Sequence, residues 1–176
     1  MSMPTTRSGA SNMKKDEYIV DCGGIQPDPL EPPMEEAFVD PTLRGNEKIK
    51  EAIHLFHQEQ SDENYTAACG AVRMCMVCDG HLIFPADVIE NTDGSTDFLF
   101  KTMDINGMDF LVAFTDQEEY EKAPASGAVS QFIDSMLENV MQQEDIAGVI
   151  INPWGEPFVL CKSDIAMIFG KEDSVL

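Results

Sequence analysis

Positive charge is scarce in this sequence: 11 Lys and Arg stand against 32 Asp and Glu, a formal net charge of -21. A surface of that sign repels phosphate backbones and anionic headgroups, so neither nucleic acid nor a bare membrane is expected as a partner. Long hydrophobic runs are also missing. No segment approaches the roughly 18 apolar residues of a membrane span, and residues 1–18 hold no apolar stretch of signal-peptide length, which predicts a soluble, cytoplasmic protein. The chain contains no G-x-x-x-x-G-K, no G-x-G-x-x-G and no G-x-S-x-G, so phosphate-cradling and serine-hydrolase chemistry have no support. Cysteine is present but sparse. Cys22, Cys69, Cys75, Cys78 and Cys161 are odd in number, irregularly spaced and mostly set in apolar sequence, which reads as reduced core thiols with no structural disulfide.

What is there suffices for one domain with a real core, since 43% of the 176 residues are hydrophobic. Residues 1–45 hold six of the ten prolines (Pro4, Pro27, Pro29, Pro32, Pro33, Pro41), few aromatics and no sustained periodicity. Such a stretch buries too little surface to offset the entropy of ordering, so a disordered, Pro-rich acidic arm is expected, followed by a single domain over 46–176. Two short apolar patches interrupt the arm, at Tyr18 to Val20 and at Met34 with Ala37, Phe38 and Val39.

Periodicity starts after Gly45. Asn46 is placed to cap a helix in which Ile49, Ala52, Ile53 and Phe56 share one face to about Gln60. Ser61 caps a second helix, with Asp62 and Glu63 at its positive end, and apolar residues nearly all round it predict a central position. Leu82 to Phe84 reads as a short strand stopped by Pro85. Thr96 to Met103 and Met108 to Phe114 flank Asn106-Gly107, the pair favoured by a tight hairpin turn, and Met108, Phe110, Val112 and Phe114 alternate onto one face. Thr115 with Glu118 forms a capping box for a short helix ending before Pro124. A weak strand near Ala128 follows, then a helix capped by Ser130 that carries Phe132, Ile133, Met136, Leu137, Val140 and Met141. Val149 to Ile151 and Phe158 to Leu160 are strands around an Asn152-Pro153-Trp154-Gly155 turn, and Ser163 caps a last helix before Gly170. The order predicts an α+β fold, with helices packed on a largely antiparallel sheet of about five strands.

The segment from Gly148 to Ile165, in which an apolar strand runs into Asn152-Pro153-Trp154-Gly155-Glu156 and then a strand and a helix, resembles the closing motif of the SseB (enhanced serine sensitivity) family's N-terminal domain. The order of the preceding elements agrees from about residue 46, including the strand at Pro85 and the Phe114-Thr115 step into an acidic helix. The resemblance implies a bacterial α+β domain and supplies no catalytic residue. Some members of that family carry a second domain, which is not expected after Leu176.

Three constellations compete for chemistry. Cys75-Met-Val-Cys78 with His81 matches a redox pair, half a zinc site or a thiol with its base, yet the pair falls toward the end of a helix, where amide dipoles do not lower a thiol pKa. His54 and His57 are spaced as metal ligands but lack a third, so no metal or cofactor is expected. Asn91 to Asp97 alternates oxygen-bearing side chains without satisfying the EF-hand positions, and reads as a loop. The remaining feature is the corner Asn152, Pro153, Trp154, Gly155, Glu156. Pro153 and Gly155 make it rigid, and a rigid corner serves either folding or recognition of a partner through Trp154. The reading favoured by the sequence is a non-enzymatic protein-interaction or regulatory module whose partner is another protein. The alternative is an enzyme or small-ligand binder using Cys75, Cys78 and His81 or a pocket near Trp154. Oligomeric state is not encoded in any feature of the sequence.

Overall fold

A computed structural model of the chain describes residues 40–125 and 127–171. Residues 1–39, with Cys22 and both apolar patches of the expected arm, lie outside the described residues. Asp40, inside the expected arm of residues 1–45, is the first described residue. Its carboxylate caps a single 3-10 turn at Pro41–Leu43, and Leu43 packs against buried side chains of the domain.

The α+β class holds. The helices are α1 (Asn46–Gln58), α2 (Asp62–Val77), α3 (Gln117–Glu121), α4 (Ile133–Gln142) and α5 (Lys162–Ile168). Among the described residues, seven strands, β1 (His81–Glu90), β2 (Thr96–Phe100), β3 (Thr102–Ile105), β4 (Met108–Ala113), β5 (Ala128–Phe132), β6 (Ile146–Ile151) and β7 (Phe158–Cys161), form two sheets ordered β2-β1-β5 and β3-β4-β6-β7. The sheets are largely antiparallel, with β4 and β6 the parallel pair. Reciprocal hydrogen bonds between Ile83 and Phe114, of 2.9 and 2.8 Å, join one sheet to the other.

Strand β4 is buried on both faces, as a central strand must be. Leu111 and Ala113 point into the main core, beneath Ile49 and Ile53 of α1, Val72 of α2, Leu137 and Val140 of α4 and Ile165 of α5. Phe110, Val112 and Phe114 point the other way, into a smaller cluster closed by Leu43, Tyr120 and Ala123. The alternating set read from the sequence therefore faces the smaller cluster. Its first member, Met108, is exposed.

Several local expectations are corrected by long-range contacts. Pro85 does not stop β1, which continues to Glu90. Alternate peptide groups of β1 face opposite edges. Ala86 bonds toward β5 through Gly127, whereas Pro85 faces the side on which its carbonyl accepts Lys101 N–H. The missing N–H of Pro85 thus falls where β1 changes neighbour from Phe114 to Lys101, and no ladder bond is lost. Asn46 is not a cap: Gly45 takes that position, and the buried Asn46 amide donates to the carbonyls of His81 and Thr115. Asp116, not Thr115, caps α3, and Ser130 lies inside β5 opposite Ile83 while α4 starts at Ile133. Helix α5 is capped by Cys161 with Asp164 in place of Ser163. Ser61 does cap α2, but that helix is one-sided, with Met74 and Val77 exposed.

The hairpin between β3 and β4 closes as its sequence dictates. Ile105 pairs with Met108 across a two-residue loop in which Asn106 and Gly107 have φ of 56° and 83°. Positive φ at both positions defines the turn whose twist suits antiparallel strands, and glycine meets it without the Cβ clash. Gly107→Ala is expected to destabilise the domain by roughly 1–2 kcal/mol, measured as a lowered urea midpoint with an unchanged slope. An unchanged midpoint would show that the turn tolerates a side chain there.

Candidate functional site

The corner between β6 and β7 is held from several elements at once. Asn152 is buried with φ of 53°. Its Oδ1 accepts from Thr115 N at 3.0 Å, its Nδ2 donates to Thr115 Oγ1 at 3.0 Å, and its own N–H donates to Ala113 O at 2.9 Å. The side-chain amide and the N–H of Asn152 are thus spent on the end of β4, where they serve the fold. Asn152 O then accepts Gly155 N at 3.0 Å and closes the turn.

Gly155 is fixed by steric room. A β-carbon there would sit 2.2 Å from Oε2 of Glu119, a carboxylate only 4% exposed. Glu119 Oε1 lies 2.7 Å from Lys122 Nζ and 3.2 Å from Lys50 Nζ, so two ammonium groups compensate the buried charge, while Oε2 has no hydrogen-bond partner among the described residues. Lys50 reaches Asp116 as well, at 3.2 Å. Burial alone would lower the Lys50 pKa, but the hydrogen bonds to Asp116 and Glu119 outweigh it and push it up to about 12.

Glu156 and Pro157 are gripped from α1. His54 Nδ1 lies 2.8 Å from Glu156 Oε1, and Gln58 donates to His54 Nε2 at 2.9 Å, which puts the ring proton on Nδ1. His57 Nε2 donates to Pro157 O at 2.8 Å. The two histidines that suggested a metal pair clasp the corner instead. Among the described residues, no three His, Cys, Asp or Glu side chains are grouped to hold a metal ion. Pro153 is half-buried. Trp154 stacks on buried Phe114, with centroids 6.1 Å apart and planes 26° apart, and stays 43% exposed. Of the corner, Trp154 alone offers a largely uncommitted side chain.

The cysteine constellation does not assemble. Cys75 is buried and its thiol donates to Gly45 O at 3.3 Å, with its pKa raised by burial first and by the Glu47 charge next. Cys78 is exposed at the end of α2, and Cys161 is exposed too, so two of the four described thiols are outside the core. His81 Nδ1 faces Ser130 Oγ at 3.3 Å and its ring lies edge-on to Phe132, so neither sulfur is its partner. The oxygen-rich loop Asn91 to Asp97 closes the hairpin of β1 and β2. Its side chains bond among themselves, Asn91 to Asp97 at 2.8 Å and Ser95 to Asp93 at 2.6 Å.

That hairpin carries what the sequence reading missed. Val88, Ile89, Phe98 and Leu99 are between 41% and 57% exposed. Beside them, a cavity of about 210 Å³ opens between β2 and α4, lined by Phe98, Phe100, Leu111, Met136, Val140 and Ile146 among others. Strand β2 is the edge of its sheet. The signal in the sequence was the apolar pair Val88-Ile89, lost once Pro85 was taken as the end of the strand. Among the described residues, no helix is long and apolar enough to cross a membrane. No family model, no curated protein and no solved structure matches the chain.

Two outcomes test this geometry. Gly155→Ala is expected to destabilise by roughly 1–3 kcal/mol through overpacking, and a double-mutant cycle with Glu119→Ala should recover part of that loss, because the clash disappears with the carboxylate. Additive losses would mean that Gly155 does not press on Glu119. For pH, the Cys69 thiol is pushed up to about 11 by burial and then by Asp164, and Tyr65 is raised by burial first and then by a hydrogen bond to Asp164. Together with Lys50, every one of these folded pKa values lies above its unfolded value, so the fold favours the protonated forms. The Cys69 contribution is complete below the ordinary thiol value of 9.0 and is lost as pH rises toward about 11, while that of Lys50 begins to fall above its ordinary 10.5 and is lost toward about 12. The urea midpoint should fall progressively across that window, and Cys69→Ala should remove its lower part. A midpoint level to pH 11 contradicts the assignment.

Proposed function

We propose that this chain is a non-enzymatic protein-interaction module of a bacterial cytoplasm, related to the SseB-type domain that the segment from Gly148 to Ile165 resembles. One observation carries the reading: the β1–β2 hairpin holds four large apolar side chains in water, next to an apolar cavity and on an edge strand. Val88 and Phe98 pair on one face of the hairpin and Ile89 and Leu99 lie on the other; exposed apolar residues clustered in this way mark an interaction surface, whereas isolated ones need no explanation. Trp154, stacked and half in solvent, is a second candidate contact. The enzyme alternative draws less support, because Cys75 is buried with a raised pKa and His81 is not directed at either thiol.

The test is quantitative capture from native lysate by the full chain, by Phe98→Ser/Leu99→Ser and by Trp154→Ala, each first verified as folded by circular dichroism. A stoichiometric protein partner retained by the parent chain and weakened about tenfold or more by the hairpin variant, equivalent to roughly 1.4 kcal/mol, is expected. Loss through Trp154→Ala alone would move the surface to the corner. Absence of a partner for every form would overturn the module reading.

A further inference from the structure

We infer that the partner of the β1–β2 hairpin is an extended, basic segment that adds as a strand to the free edge of β2, with apolar and basic side chains alternating. This rests on the interaction-module reading above and names the chemistry of its partner.

The register decides which backbone groups are available. Asn91 N–H donates to Ser95 O at 2.9 Å and Lys101 N–H to Pro85 O at 2.9 Å, which fixes the hydrogen-bonded phase of the β1–β2 ladder. In that phase Asp97 and Leu99 bond to Ile89 and Asp87 of β1. The peptide groups of Thr96, Phe98 and Phe100 then point away from β1, along the outer edge. An edge of unpaired N–H and C=O groups is a template for another strand.

Side chains on the two faces of β2 then set the sequence of the guest. Phe98 and Phe100 share one face, with ring centroids 6.4 Å apart, and that face continues into the main core through Phe84 and Phe100. It also borders the cavity of about 210 Å³ against Met136 and Val140, which has room for an apolar side chain from a neighbouring strand. On the opposite face stand Asp97 and Leu99. Asp87 on that face is paired with Lys101, while Asp97 forms no ion pair among the described residues; nor do Glu90, opposite Thr96 on the other face, and Asp93 in the connecting loop. A guest strand therefore meets the apolar Phe98 and Phe100 on one face and the Asp97 carboxylate beside Leu99 on the other. Lysine or arginine on the latter face lays its methylene stem over Leu99 and its charge beside Asp97.

A second copy of this chain would also offer an edge, but it brings another net charge of -21 and a second set of the same hairpin carboxylates. Like charges facing across a strand pair destabilise it. Charge complementarity thus selects a basic partner over self-association.

The probe is a short synthetic peptide alternating lysine with valine and leucine, titrated into the full chain and followed by NMR amide hydrogen exchange. A control peptide carries glutamate for lysine. Expected are new protection at the amides of Phe98 and Phe100, no change at Asp97 and Leu99, which are already bonded to β1, and about tenfold weaker binding of the glutamate peptide. Protection elsewhere, equal binding of both peptides, or no binding overturns the strand-addition inference. So does protection of the same amides at high protein concentration without peptide, which would identify a second copy as the occupant. Capture of a partner from lysate through Phe98 and Leu99 would still stand after any of these, so the fate of the module reading is decided separately.

Discussion

Thr115 is the point on which the described fold hangs. It follows β4, and its polar groups reach two other elements: the N–H and hydroxyl meet the Asn152 amide beyond β6, and the carbonyl receives the Asn46 amide at the start of α1. Asn46 also takes the carbonyl of His81, at the start of β1. Two buried side-chain amides therefore tie both sheets and the first helix together at the level where β4 and β6 end. Buried polar groups are costly unless paired, and pairing them across elements leaves very few alternative arrangements of comparable energy.

From that hub the two faces of β4 divide the interior. The helical layer covers one face, and a small aromatic cluster under α3 covers the other, with Phe114 meeting Tyr120 and Trp154. Coverage runs out toward the tip of the β1–β2 hairpin, which extends beyond the reach of α4. There the core face of the sheet continues as Val88 and Phe98 into water. The net charge of -21 opposes the approach of one such patch to another copy of the chain.

The corner from Asn152 to Glu156 shows how far local sequence goes. Its existence, its tight turn and the half-exposed Trp154 were legible, because Asn, Pro and Gly at those positions restrict the backbone locally. The reasons for those residues were not. Gly155 answers to Glu119, Asn152 to Thr115, and Glu156 to His54, each pair separated by dozens of residues or more. The hydrophilic spacing of His54 and His57 looked like metal ligation only because their partners at Glu156 and Pro157 are distant in the chain. The hairpin patch escaped notice for a related reason: a proline normally ends a strand, and only the change of neighbour at Pro85 makes it harmless.

By itself, the sequence determined the features governed by short-range physics: the amphipathic face of α1, the Ser61 cap, the Asn106-Gly107 hairpin, the apolar stripe of α4, the α+β class and the sign of the surface charge. Only the tertiary structure decided which helix starts were capped by neighbours in place of the residues that looked suited to it. It also decided that α2 lies at the surface on one side, that two of its cysteines are buried while Cys78 is exposed, and that β2 ends a sheet with its apolar side chains uncovered. Capping candidates, exposure and edge position depend on what lies opposite in space, and the energies that choose among them come from contacts between residues far apart in the chain.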